Sequence, residues 1–271
     1  MNFNYLLRAC AVLTAGDRED LMNTLFEKYR YFLKDSVRQT INFALTDQSQ
    51  GIKPPPIEKP YPVDAERINL TGKEEMEGLF SIDLFAAIKN RQSHRHFKDA
   101  PLTQKELSFL LWTTQGIRSK SNEFATLRTV PSAGCRHALE TYLCVLNVQG
   151  LEAGIYRYLP IEHQLLVVSI DDELSKKIVE ATFNQVFTGR SAITFIWTTI
   201  PYRMEWRYDI AAHKVIALDA GHVCQNLYLA CAAIGGGACA VGAYHQQLLD
   251  KLVAVDGIDE FTIYLAAVGK I

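Results

Sequence analysis

The chain has 271 residues, 48% of them hydrophobic and 21% charged, with a net charge of −2. That profile belongs to a soluble globular protein with room for a large core in one domain or two, and its charge offers no footing for nucleic acid or an anionic membrane. No apolar stretch is long and clean enough for a transmembrane helix. Six cysteines without a CxxC pair suit a reducing compartment. The apolar start interrupted by Arg8 lacks the form of a signal peptide, so the expected location is cytoplasmic.

In chain order, residues 1–53 read as an N-terminal helical extension, from the helical spacing of apolar positions in LMNTLFEKYRYFL. Residues 54–80 open with a proline-rich run and read as an extended arm wrapping a surface. The main domain is expected over 81–271. Ser81 is the expected cap of a helix over 82–90, and Thr103 with Glu106 predicts a capping box for a helix that stops at Gly116. A polar loop follows. ALETYLCVLNV predicts a strand, GIYRYLP and HQLLVVSI a hairpin pair, DDELSKKIVEAT a helix, and SAITFIWTTI a buried strand. A long helix is expected from about Ile210 to Ile234, halted by Gly235, Gly236 and Gly237. HQQLLDKLVAV predicts the last helix and FTIYLAAVG the last strand. The elements lack regular βα alternation, so the fold class is α+β with a mostly antiparallel sheet.

Four segments carry chemistry. NRQSHRHF sets Arg91, Gln92, Ser93 and Arg95 just past a helix. Two guanidinium forks and a hydroxyl match the oxygens of a phosphate, although a solvated basic helix end has the same composition. Pro131, Ser132, Ala133 and Gly134 lead into a strand, where small residues let backbone approach a flat ligand or merely form a tight turn. Gly221 and Gln225 stand four apart on one face of the long helix. GGGACAVGAYH, with Ala240, Val241, Gly242 and Ala243, presents successive backbone N–H groups. Its context excludes a dinucleotide-binding GxGxxG turn. His94, His96, His222 and His245 lack the neighbours of a metal site, and Ser132 lacks the setting of a catalytic triad.

The order of these segments resembles the FMN-dependent nitroreductase family, closest to the branch with SagB-like azoline dehydrogenases and ThcOx-like oxidases. The resemblance extends over about residues 54–271. It implies a homodimer with swapped-arm contacts and FMN as cofactor. It also implies hydride from NAD(P)H passed through flavin N5 to a small electron-poor or conjugated acceptor. Carried over by position, Arg91, Gln92, Ser93 and Arg95 bind the FMN phosphate and ribityl chain, and Pro131–Gly134 reach the flavin of the partner subunit. Ala240, Val241, Gly242 and Ala243 lie along the ring, with Gly242 as the N5 donor. Asn184 contacts the flavin, and Gln225 supports the site. The Lys-Tyr pair of azoline dehydrogenases falls on Arg207 and Tyr208. Arginine is no base near neutral pH, so only Tyr208 keeps the proton-handling role. The C-terminal phosphate cations of typical nitroreductases reduce here to Lys251, with His213 and Lys214 as further candidates. Two other functions fit the residues. One is a SagB-like azoline dehydrogenase acting on a modified peptide, with a peptide-binding partner recruited through residues 1–60. The other is a flavin-binding module without turnover.

Overall fold

The computed structural model describes residues 14–271 except 77, 79 and 123; the expected helical reading of residues 1–13 lies outside the described residues. The core is a seven-stranded sheet in which every named strand pair is antiparallel. In chain order its strands are β1 (Arg67–Asn69), β4 (Leu139–Val145), β5 (Gly154–Leu159), β6 (Gln164–Ile170), β7 (Ile193–Thr199), β8 (Gly236–Val241) and β9 (Phe261–Lys270). Across the sheet they run β1-β6-β5-β4-β7-β9-β8. The hairpin of β2 (Ile117–Asn122) and β3 (Ala125–Arg128) stands apart.

Strands β4 and β7 are buried at every position, because helices cover both faces of the sheet. Alternate residues point to opposite faces. Leu143, Phe195 and Trp197 meet one helical layer, formed by α4 (Gln104–Gln115) and α7 (Ala212–Ala233). Cys144 and Ile196 meet the other, formed by α5 (Leu174–Ala181) and α8 (Gln246–Leu252). The remaining helices are α1 (Ala15–Leu33), the single turn α2 (Lys73–Met76), α3 (Leu84–Asn90) and α6 (Tyr202–Tyr208).

The capping box forms as expected: Thr103 Oγ1 accepts from Glu106 N at 3.2 Å, and the Glu106 carboxylate accepts from Thr103 N at 2.9 Å. Helix α3 begins later than expected. Its cap is Asp83, whose carboxylate accepts from Ala86 N at 2.9 Å; aspartate two residues on from Ser81 offers the stronger acceptor for the open turn. Of the three glycines after α7, only Gly235 (φ +62°) makes the stop, while Gly236 and Gly237 open β8. The polar stretch after Gly116 is the hairpin β2–β3, which its polar composition concealed.

The arm is fastened by buried charge. Lys59 Nζ binds Glu260 at 2.5 Å, Lys59 N donates to Glu140 at 3.1 Å, and Arg128 and Arg157 donate to the carbonyls of Ile57 and Lys59. Glu58 is buried, accepts from Ile161 N at 3.1 Å, and is pushed up to about 7, chiefly by desolvation. A carboxyl raised in the fold stabilises it fully below the ordinary value near 4.5, and that stability is lost as pH rises toward 7. The difference corresponds to on the order of 3 kcal/mol. Glu58→Gln is therefore expected to flatten the fall in melting temperature between pH 5 and pH 8. An unchanged pH slope would assign the titration to other groups.

Candidate functional site

The segment after α3 lies along the free edge of β8. Ser93 bridges Ala238 in parallel sense, His94 N donates to Ala238 O at 2.9 Å, and Lys98 N donates to Lys270 O at 2.9 Å. The small residues of β8 make this seat: a Cβ at Gly237 would fall 2.8 Å from His94 Cβ. Arg91, Gln92, Ser93 and Arg95 are all exposed. The Arg91 guanidinium sits 5.3 Å from the centre of the Tyr228 ring, and the Arg95 guanidinium 5.9 Å from that of Phe187. Neither arginine is bound in any ion pair among the described residues, so two positive charges and a hydroxyl are offered outward.

Beyond β8 the chain turns through Gly242 and Ala243, both exposed. A Cβ at Gly242 would meet nothing within 4 Å, so no neighbour within the chain explains the glycine. Among the described residues, no acceptor serves the N–H of Gly242 or of Ala243. The N–H of Ala240 is already taken by Tyr228 Oη at 2.8 Å. Val241 is buried in the core, which limits it to backbone contacts. Asn184 is exposed with φ +60° in the turn after α5. The tether from that turn to the loop comes from its neighbour: Gln185 Nε2 donates to Ala243 O at 2.9 Å.

Pro131–Gly134 belong to a second cluster. Gly134 has φ +58°, and a Cβ there would stand 2.5 Å from Tyr208 Oη and 3.2 Å from Arg207 Cδ and Cζ. The turn and the Arg207-Tyr208 pair thus meet face to face. Behind them lies buried Asp219, whose carboxyl is raised by burial against the lowering influence of nearby Ser132 and His222. Gly134→Ala is expected to cost about 1–2 kcal/mol in backbone strain alone and to displace Tyr208. A crystal structure of the variant with Tyr208 unmoved would remove this coupling.

Helix α7 separates the two clusters. Asp219 and Tyr228 are nine residues apart, hence about 180° around the helix and roughly 13 Å along it. Gly221 and Gln225 share the Tyr228 side, where Gly221, Ala217, Ala220 and Tyr264 line an apolar cleft of about 530 Å³. The larger cavity, about 890 Å³, lies on the Asp219 side and takes in Pro131, Ser132, Trp112, Arg118 and Leu229. The two clusters therefore lie on opposite sides of α7.

Sequence reasoning missed Tyr228 and Gln185. Tyr228 stands three residues after Gln225 on the same helical face, a spacing that could have exposed it.

The candidate groups fit an FMN. A phosphate finds two unpaired guanidinium groups, and a ring edge finds free amides beside an open glycine.

Residues 88–270 match the model of the nitroreductase family. A Methanocaldococcus jannaschii protein assigned by inference as a nitroreductase is 29% identical over 196 residues, covering 72% of this chain and 95% of that one. The trifolitoxin-processing protein TfxB of Rhizobium leguminosarum bv. trifolii is 28% identical over 134 residues, 48% of this chain and 36% of that protein. Among solved structures, a Ralstonia eutropha protein assigned in the same way superposes with a TM-score of 0.63 at 25% identity, covering 80% of this chain and 97% of that one. A chain of the Escherichia coli microcin synthetase McbBCD complex superposes with a TM-score of 0.57 at 19% identity, covering 72% and 76%, a likeness of fold.

Proposed function

This chain belongs to the nitroreductase family, and on that premise we propose that it is an FMN-dependent oxidoreductase that takes hydride from NAD(P)H and delivers it to a small electron-poor or conjugated acceptor. The observation that carries the reading is that Arg91 and Arg95, in no ion pair, flank a segment running along the edge of β8, the strand that ends in the acceptor-free amides of Gly242 and Ala243. FMN bound there supplies the redox-active ring. Arg91, Arg95 and Ser93 would hold its phosphate through charge-assisted hydrogen bonds, with Gln92 beside them. The Gly242 N–H would be the donor offered to the N5 edge, where a fixed donor favours the charge of the reduced state. Asn184, held next to Gln185, borders the same loop.

The placement of the two clusters on opposite sides of α7 supports a homodimer. A second copy brings its own Pro131–Gly134 turn, Arg207 and Tyr208 to this chain's clamp. In that arrangement Tyr208 holds or passes the proton that accompanies hydride transfer, and Arg207 attracts anionic groups of the substrate. The apolar lining around Pro131 suits a flat acceptor.

Two arms test the reading. Purified protein with bound flavin, held without oxygen, loses its visible absorption on addition of NADH or NADPH. A nitroaromatic or quinone acceptor then restores it. Flavin that neither nicotinamide reduces leaves a binding module without turnover.

A second reading is favoured by the likeness to the trifolitoxin-processing protein and by the N-terminal extension. Tyr202 Oη donates to Asp47 at 2.6 Å, Trp206 Nε1 donates to Ile52 O, and Gln48 N donates to Trp206 O. The extension thus packs on α6, the helix of Arg207 and Tyr208. In this reading the substrate is a modified peptide with an azoline ring, delivered by a partner protein in the cytoplasm. Copurification with a cyclodehydratase would favour it.

A further inference from the structure

We propose that Tyr228 is a positioning residue that joins the anion clamp to the end of β8 as one hydrogen-bonded unit; the proposal rests on the clamp being the phosphate seat. Three contacts meet at this side chain. Its hydroxyl accepts from Ala240 N at 2.8 Å and lies 3.0 Å from Ser93 Oγ, and its ring carries the Arg91 guanidinium at 5.3 Å.

The direction of the first bond follows from donor capacity: the Ala240 N–H can only donate, so the Tyr228 oxygen accepts there and keeps its own proton available for Ser93. With an anion at the clamp, Tyr228 donating to Ser93 Oγ leaves the Ser93 proton to donate to the ligand oxygen, beside the two arginines. The chain runs from backbone amide to phenol to serine hydroxyl to ligand oxygen, and each bond polarises the next. Cys239 borders the chain: its thiol donates to Ala240 O at 3.6 Å, and Ser93 is also a hydrogen-bond neighbour of its sulfur, a softer and weaker acceptor than a phosphate oxygen. Stacking on the Tyr228 face restricts the long Arg91 side chain without neutralising it, which lowers the entropy lost when an anion binds. The same hydroxyl holds the Ala240 amide, two residues before Gly242. Clamp and ring-edge donor are thereby referred to one rigid point on α7.

The test uses Tyr228→Phe, which keeps the ring and removes the hydroxyl, and Tyr228→Leu, which removes both. Two readouts are taken on the full chain. Hydrogen–deuterium exchange of ligand-free protein reports the amide of Ala240. In Tyr228→Phe that amide is expected to exchange at least about tenfold faster, with the rest of the sheet unchanged. Fluorescence titration compares FMN with riboflavin, which lacks the phosphate. Tyr228→Phe is expected to weaken FMN about three- to tenfold and riboflavin hardly at all, and Tyr228→Leu to weaken FMN further through loss of the Arg91 stack. Wild-type exchange at Ala240, or equal losses for the two flavins in Tyr228→Phe, would overturn the proposal. A wild-type protein that binds FMN no better than riboflavin would instead remove the phosphate seat itself, and Tyr228's role at it.

Discussion

The Arg91→Ala/Arg95→Ala double variant is expected to lose FMN by about 3–6 kcal/mol, at about 1.5–3 kcal/mol for each charged hydrogen bond removed. In affinity that is roughly a hundredfold to ten-thousandfold, enough for the protein to leave a desalting column colourless. The other cations considered from the sequence stand elsewhere: Lys251 lies in the last turn of α8, and His213 is paired with Glu205 at 2.7 Å near the start of α7. Both arginines are exposed, so the melting temperature should move by no more than about 2 °C. The two single variants share one ligand group and should not add simply. Flavin titration of the double variant beside the wild type measures the loss, and equal affinities would remove the phosphate assignment while leaving the fold untouched.

Glu140→Ala is expected to be the most destabilising single change. Glu140 and Arg203 form an ion pair at 2.6 Å with side chains only 3% and 2% exposed. Burial raises the Glu140 carboxyl, but Arg203, Arg157 and Arg128 outweigh it, and the carboxyl is held below its usual range. Removing the acid strands Arg203 in the core, a change that costs about 3–5 kcal/mol and about 10 °C in melting temperature. It also releases the Lys59 amide that fastens the arm. Because the folded carboxyl sits below its unfolded value, its contribution is present at neutral pH and is lost on acidification below about 4.5. The wild type and the variant should therefore converge at low pH. A variant that melts within about 2 °C of wild type at pH 7 would mean that the cluster tolerates the unpaired guanidinium.

The fold was legible where local chemistry and packing agree. Thr103 and Glu106 mark a helix start by mutual hydrogen bonds, and the runs around Leu143 and Phe195 read as strands because both faces are buried. It was illegible where distant residues decide. The GGACAV stretch shows no strand periodicity, yet it is a sheet edge, and the glycine at 237 is explained by His94 packing against it, as Gly269 on the neighbouring β9 is by Phe97. Gly134 likewise shows its reason only when Tyr208 is brought against it. At the candidate site, charge and composition drew attention to Arg91, Ser93 and Arg95. Gln185 escaped it because a glutamine in a turn carries no local mark, and Tyr228 because its only mark is its spacing from Gln225. Only the fold shows their partners, the donor Ala240 N for Tyr228 and the acceptor Ala243 O for Gln185. The separation of the two clusters by α7 also needs three dimensions, although the nine-residue spacing behind it was in the sequence throughout.

The central claim is that the clamp beside β8 seats a flavin phosphate while the loop through Gly242 meets the ring. Isothermal titration of FMN into flavin-stripped protein tests it most directly. Saturable binding of one FMN per chain, weaker binding of riboflavin, and loss of that difference in the Arg91→Ala/Arg95→Ala variant are the expected results. Absence of binding with FMN in large excess, or riboflavin binding as tightly as FMN, would contradict it.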